Sequence, residues 1–141
     1  MTLLLVRHAD AGDRRTWIGD DAKRPLDDRG RHQAEALVGQ LDGRRVTRIL
    51  SSPYLRCTQT VEPLALERRL PVEHRQELAE GASRTDVLAL VGELAEDESA
   101  VLCTHGDVVE RLLGRESEKG STWVLELDGD HVAPAEYLAP S

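Results

Sequence analysis

The chain has 141 residues, 40% hydrophobic and 31% charged, with a formal charge of −8 at pH 7, which excludes a disordered segment or a disulfide scaffold. That charge repels a polyanion over most of the surface, and apolar runs such as Leu3 to Val6 fall far short of the ~20 residues that span a bilayer, so extended nucleic acid and membrane are excluded as partners. We expect a single domain over residues 1–141, cytoplasmic and monomeric, burying roughly 70% of its unfolded surface around an aliphatic core.

Leu3-Leu4-Leu5-Val6, Arg48-Ile49-Leu50-Ser51 and Ala100-Val101-Leu102-Cys103 are short apolar runs without alternation, the pattern of parallel strands buried on both faces. Ala34, Leu37, Val38 and Leu41 recur at helical spacing ahead of Gly43, a residue suited to a left-handed helix stop. A second helix is expected from Ser52-Pro53, with Ser as cap and Pro at the first position, turning Leu55, Val61 and Leu66 inward. Leu70 to Glu73 fits one further short strand, although Pro71 argues for an edge or a loop. Thr85 to Leu94 fits a third helix and Val108 to Leu113, before Gly114, a fourth. Trp123, Leu125 and Leu127 then alternate with polar or outward residues up to the turn signal Asp128-Gly129, which predicts a C-terminal edge hairpin. The fold class is therefore α/β: a three-layer sandwich with a central, mostly parallel sheet flanked by helices and a minimal cap.

Three of the central strands run into chemistry-bearing residues: Arg7-His8-Ala9, Ser52-Pro53-Tyr54-Leu55-Arg56, and Thr104-His105-Gly106. In a parallel sheet those ends share one edge, where open α/β folds bind ligands. Arg7, His8, Arg56 and His105 are thus expected in one pocket, and two guanidinium forks, two imidazoles and a helix N-terminus make a trap for phosphate. Context carries this expectation, because a second pair, Arg31-His32, lies on an amphipathic helix and reads as solvated surface. His74 and His131 read as exposed. Cys57 and Cys103 lack any C-x-x-C or zinc-ligand spacing and are expected as reduced thiols. Neither has an Arg six positions downstream, which excludes a C-x5-R phosphatase. His8-x-Asp10 and His105-x-Asp107 allow a metallophosphatase as a rival, but Arg7 beside His8 repels a cation, and no metal or other cofactor is expected. A phosphate or nucleotide sensor without turnover is the alternative outside enzymology.

L-L-V-R-H-A, S-S-P-Y-L-R-C-x-Q-T and T-H-G-D-V, in that order and with the helix P-L-D-D-R-G-R-H-Q-A-E-A-L between the first two, resemble the histidine phosphatase superfamily, the phosphoglycerate-mutase-like group. The short length resembles its SixA branch of phosphohistidine phosphatases. The tail K-G-S-T-W-V-L is similar to a phosphatase domain that some actinobacterial proteins carry behind a nudix domain, although no nudix signature is present. The resemblance implies His8 as the nucleophile, with Arg7, Arg56 and His105 holding the phosphoryl oxygens. It implies Glu80 as general acid in preference to Glu77, because Glu80 follows a Leu by two residues and precedes Gly81. Gly106 and Trp17 are candidate substrate contacts, Trp17 as a stacking platform, cover or hydrophobic plug. Arg14, Arg15, Lys23 and Arg24 either extend the cationic mouth or form a salt-bridged loop. The function so implied is a hydrolase acting on protein phosphohistidine, with a small phosphoester or nucleotide as the alternative substrate.

Overall fold

Alternate residues of the first strand feed different cores. The computed structural model describes residues 1–141, with strands β1 Thr2–Arg7, β2 Arg48–Ser51, β3 Val72–His74, β4 Ala100–Thr104, β5 Thr122–Asp128 and β6 His131–Leu138. Helices are α1 Asp28–Gln40, α2 Leu55–Arg68, α3 Arg84–Val91 and α4 Gly106–Leu113. Leu3 and Leu5 of β1 join Leu50, Leu102 and Leu125 beneath Val87, Leu90 and Val91 of α3 and Val108, Val109 and Leu112 of α4. Leu4 and Val6 instead join Ile49, Val101 and Cys103 against Leu37 of α1 and Cys57, Val61 and Leu64 of α2. Two-sided burial is why β1, β2 and β4 read as unbroken apolar runs. The result is a three-layer sandwich.

The sheet order is β3-β2-β4-β1-β5-β6. β3, β2, β4 and β1 are mutually parallel, with Arg7 opposite Thr104 and Ser51 opposite both Cys103 and His74. That register brings out the residues following β1, β2 and β4 side by side. The hairpin β5–β6 adds two antiparallel strands on the far side of β1, closing with Asp128 opposite His131 across Gly129 at φ 61°. β3 is the other edge, starting just after Pro71, where a missing N–H costs no ladder bond.

Several boundaries differ from the sequence expectation. α2 begins at Leu55 with Tyr54 as its cap and no side-chain capping bond, because the Ser52 hydroxyl is used elsewhere. Leu66 is 81% exposed: it lies two residues beyond buried Leu64, roughly 200° round the helix, so the two cannot share a face. α3 starts at Arg84, held by a reciprocal Ser83–Asp86 capping box, and stops at Val91. Leu94 is buried all the same, in the turn that follows. No helix is long and apolar enough to cross a membrane.

Candidate active site

The His8 turn is locked from four directions. His8 N–H continues the parallel ladder to Thr104 O at 3.0 Å, and Gly120 N–H reaches His8 O at 3.0 Å. Ala9 N–H donates to Thr60 Oγ1 of α2, and Asp10 N–H to Gln33 Oε1 of α1, both at 2.9 Å. Asp27, which caps α1 through Gly30 N–H, also donates its own N–H to Asp10 O. A Cβ on Gly30 would stand 1.9 Å from Asp10 O, so only glycine lets α1 press against this turn.

His8 is 6% exposed, and its Nδ1 lies 2.8 Å from Ala9 O. A carbonyl can only accept, so Nδ1 carries the proton and Nε2 presents its lone pair. Burial drives the His8 pKa down to about 3, helped by His105, Arg56 and Arg7 and opposed by the Ala9 carbonyl. The imidazole is therefore neutral throughout the physiological range.

His105 follows β4 as the N-cap of α4, its ring 5.4 Å from that of His8 and edge-on to Tyr54 at 4.7 Å. Ser52 Oγ accepts from Tyr54 N–H and lies 2.9 Å from His105 Nε2. Cys57 Sγ lies 3.5 Å from the same nitrogen, and the hydroxyl keeps both its proton and a second lone pair for it, so the bond runs in either direction according to the tautomer; with the hydroxyl donating, the ring proton sits on Nδ1, a buried atom with no hydrogen-bond partner in the protein. Arg7 donates to Ser117 O, while its Nε is likewise buried and unpartnered. A Cβ on Gly106 would stand 2.7 Å from the Arg7 guanidinium carbon, so this glycine makes room for the cation.

Arg56 is fully buried. Its guanidinium lies 5.0 Å from the centre of the Tyr54 ring, donates to Asp21 O at 2.8 Å, and pairs with Asp21 at 3.1 Å and Glu80 at 3.5 Å, leaving Nε unpartnered. Burial works against the charge of Asp21, but Arg24, Arg56 and Arg14 outweigh it and hold its pKa below the usual range. Glu80 also pairs with Arg14. The Glu80 loop is pinned by Asp107, which accepts from Gly81 N–H at 2.9 Å, and by Thr104 Oγ1, which donates to Leu78 O.

An open cavity of about 450 Å³ has Arg7, His8, Glu80, His105 and Gly106 in its lining. Of the candidates named from sequence, Arg56 stands behind this surface, screened by Asp21 and Glu80. Glu77 is drawn away to Arg75 at 2.6 Å. Trp17 lines neither this cavity nor the adjoining one of about 530 Å³; it is 38% exposed, with its indole N–H on Asp20 O. Arg31, His32, His74 and His131 are exposed, and Cys57 and Cys103 are buried free thiols. Asp10 pairs with Arg29, and Asp107, which also lines the cavity, pairs with Arg111 through Oδ2. Sequence reasoning missed Asp21, Ser52 and Gln33 as members of the site. The S-S-P-Y signature contained Ser52, but nothing local distinguished a hydroxyl serving His105 from a helix cap.

Aligned over 155 positions, the chain is 41% identical to the 8-oxo-(d)GTP phosphatase of Mycolicibacterium smegmatis, covering 99% of this chain and 48% of that one. It thus spans about half the length of that curated relative. The protein histidine phosphatase SixA complexed with tungstate superposes with a TM-score of 0.83 at 24% identity, covering 99% of this chain and 97% of that one. Bacillus stearothermophilus YhfR gives 0.80 at 18% identity and 95% coverage of both. These two likenesses establish the fold. The family model described as histidine phosphatase superfamily (branch 1) matches residues 3–84, and the chain belongs to that superfamily.

Proposed function

We propose that the chain is a phosphatase whose phosphoryl intermediate is carried on His8. The supporting observation is the set of buried nitrogens without partners, the donors Arg7 Nε and Arg56 Nε and, in its Nδ1–H tautomer, His105 Nδ1, beside an imidazole that is neutral and presents Nε2. Buried donors ordinarily find acceptors, and a tetrahedral dianion supplies several. In this reading the entering phosphoryl group displaces Glu80 from Arg56 and Glu80 takes up a proton; Nε2 attacks phosphorus in line, the N–P bond forms as the P–O bond breaks, and the leaving oxygen takes that proton from Glu80. Water then attacks phosphorus, giving its proton to Glu80, and phosphate and neutral His8 are released. Arg7, His105 and Arg56 stabilise charge on the equatorial oxygens, the largest contribution in phosphoryl transfer. A phosphoryl group entering beside His8 competes with Asp21 and Glu80 for Arg56.

The guanidiniums take the part that a divalent cation plays in metallophosphatases, so turnover of p-nitrophenyl phosphate is expected to survive EDTA. An acid-labile, base-stable phosphoenzyme should form rapidly in the native protein and be missing from His8→Ala. Protein-borne phosphohistidine fits the unroofed cavity, which a protein loop can enter, and its imidazole leaves readily once protonated. A small-molecule or nucleotide substrate is favoured by the 41% identity over nearly the whole chain with a protein named 8-oxo-(d)GTP phosphatase. A panel of phosphohistidine peptides, nucleotides and sugar phosphates, ranked by kcat/KM, separates the two.

A further inference from the structure

The ridge formed by Arg7, His8 and Arg14 divides two compartments of opposite character. On one side, with Glu80 and His105, the lining also carries Asp107, Glu110 and Glu116. On the other it carries Arg15, Arg24 and Lys119 with Asp13 as its single carboxylate, and no hydrophobic residue at all. Ion pairing reduces this cationic surplus without removing it. Arg15 is matched by Asp13, Arg24 by Asp21, and Arg14 by Glu80 and Asp21, whereas Arg7 and Lys119 form no ion pair.

Lys119 is exposed, yet its position is not arbitrary. The next residue, Gly120, adopts φ +83° and donates its N–H to both Arg7 O at 3.2 Å and His8 O at 3.0 Å. The lysine therefore springs from backbone clamped to the turn that carries His8. An anion lodged beside His8 with a second anionic group attached meets carboxylates on the Glu80 side and, on the other, Lys119, the one unpaired cation that belongs to that side alone. Neither compartment has a hydrophobic side chain in its lining, which fits a charged group and not a base or acyl chain on either side, so charge alone distinguishes the two.

We propose that the Lys119 compartment is a subsite for a second phosphate, and that the substrate class is a phosphoanhydride whose terminal phosphoryl is transferred to His8. This rests on the reading of His8 as the phosphoryl acceptor. The N–P bond forms as the bridging P–O bond breaks, the electron pair leaves with the second phosphate in the Lys119 compartment, and water cleaves the N–P bond to give orthophosphate. Phosphate is a better leaving group than an alkoxide, so this route demands less of Glu80.

The test is calorimetric binding of methylenediphosphonate, which cannot be hydrolysed, against methylphosphonate. The native protein should bind the diphosphonate at least about tenfold more tightly, and Lys119→Gln should lose most of that preference. Lys23→Gln, an equal charge change at an exposed residue outside the compartment, should retain it. A native preference below about threefold, or equal losses in the two variants, overturns the subsite, the latter by showing only a diffuse field. The His8 reading is judged separately by the phosphoenzyme: a diphosphonate preference without any phosphoenzyme would retain the anion site and remove the reaction.

Discussion

At His8 one hydrogen bond to the ring and a buried position do what an added base would do elsewhere. The Ala9 carbonyl chooses the tautomer, burial keeps the ring neutral, and Nε2 is left to the substrate. Replacing His8 by Ala should abolish turnover. Donation from the Ser52 hydroxyl would make a similar choice at His105, so Ser52→Ala should lower kcat by about tenfold with a smaller change in KM, the pattern of an interaction that strengthens in the transition state. Imidazole nitrogen chemical shifts should show the Nδ1–H form of His105 in the native protein and a tautomer mixture in that variant; an unchanged spectrum would deny Ser52 its positioning role. Glu80→Gln should slow hydrolysis of alkyl phosphates by about 100-fold or more and of p-nitrophenyl phosphate far less, because the nitrophenolate hardly needs a proton. Glu77→Gln, whose parent is held by Arg75 away from the cavity, should leave the ratio between the two substrates unaltered. Reversal of these two results would move the acid to Glu77.

Elements deliver the site by their ends, and this part was legible before any coordinates. β1, β2 and β4 could be read because burial on both faces leaves an uninterrupted apolar run, and their common direction then puts His8, Ser52 and His105 on one edge. Less legible were features decided by contacts between distant segments. Asp21 lies in a single 3₁₀ turn and meets Arg56 only because the 12–27 loop folds back, a path that no local pattern encodes. Ser52-Pro53 has the composition of a helix start, yet tertiary demand from His105 claims the hydroxyl and the helix begins at Leu55. The closeness of Gly106 to Arg7 is equally invisible in sequence. It predicts that Gly106→Ala displaces the guanidinium, with a fall in kcat/KM of about 10 to 100-fold. Because α4 gains a better helix former at its first position, thermal stability should change little. A large loss of stability with normal activity in the folded fraction would show that Arg7 can yield without consequence.

For the molecule as a whole, the same buried imidazole that suits catalysis ties stability to pH. Unfolded His8 has an ordinary pKa near 6.5, whereas burial sets the folded value at about 3. Between those values the unfolded chain binds a proton that the native state refuses, so stability rises with pH across the window. The contribution is complete above about pH 6.5 and is lost progressively as the pH falls towards 3. At pH 5 the loss amounts to about 2 kcal/mol, a large fraction of the margin of a small domain. Depressed carboxylates such as Asp21 and Asp107 act in a lower range, since a lowered acid pKa contributes stability above its unfolded value and surrenders it only below. Chemical denaturation at pH 7 and pH 5 should therefore show a loss in the native protein that is much reduced in His8→Asn, which has a similar shape and no proton to accept. Packing effects of the substitution appear at both pH values and cancel in the comparison. Equal losses in the two proteins would mean that His8 charges without penalty in the fold, and a neutral nucleophile held by burial would then have to be given up.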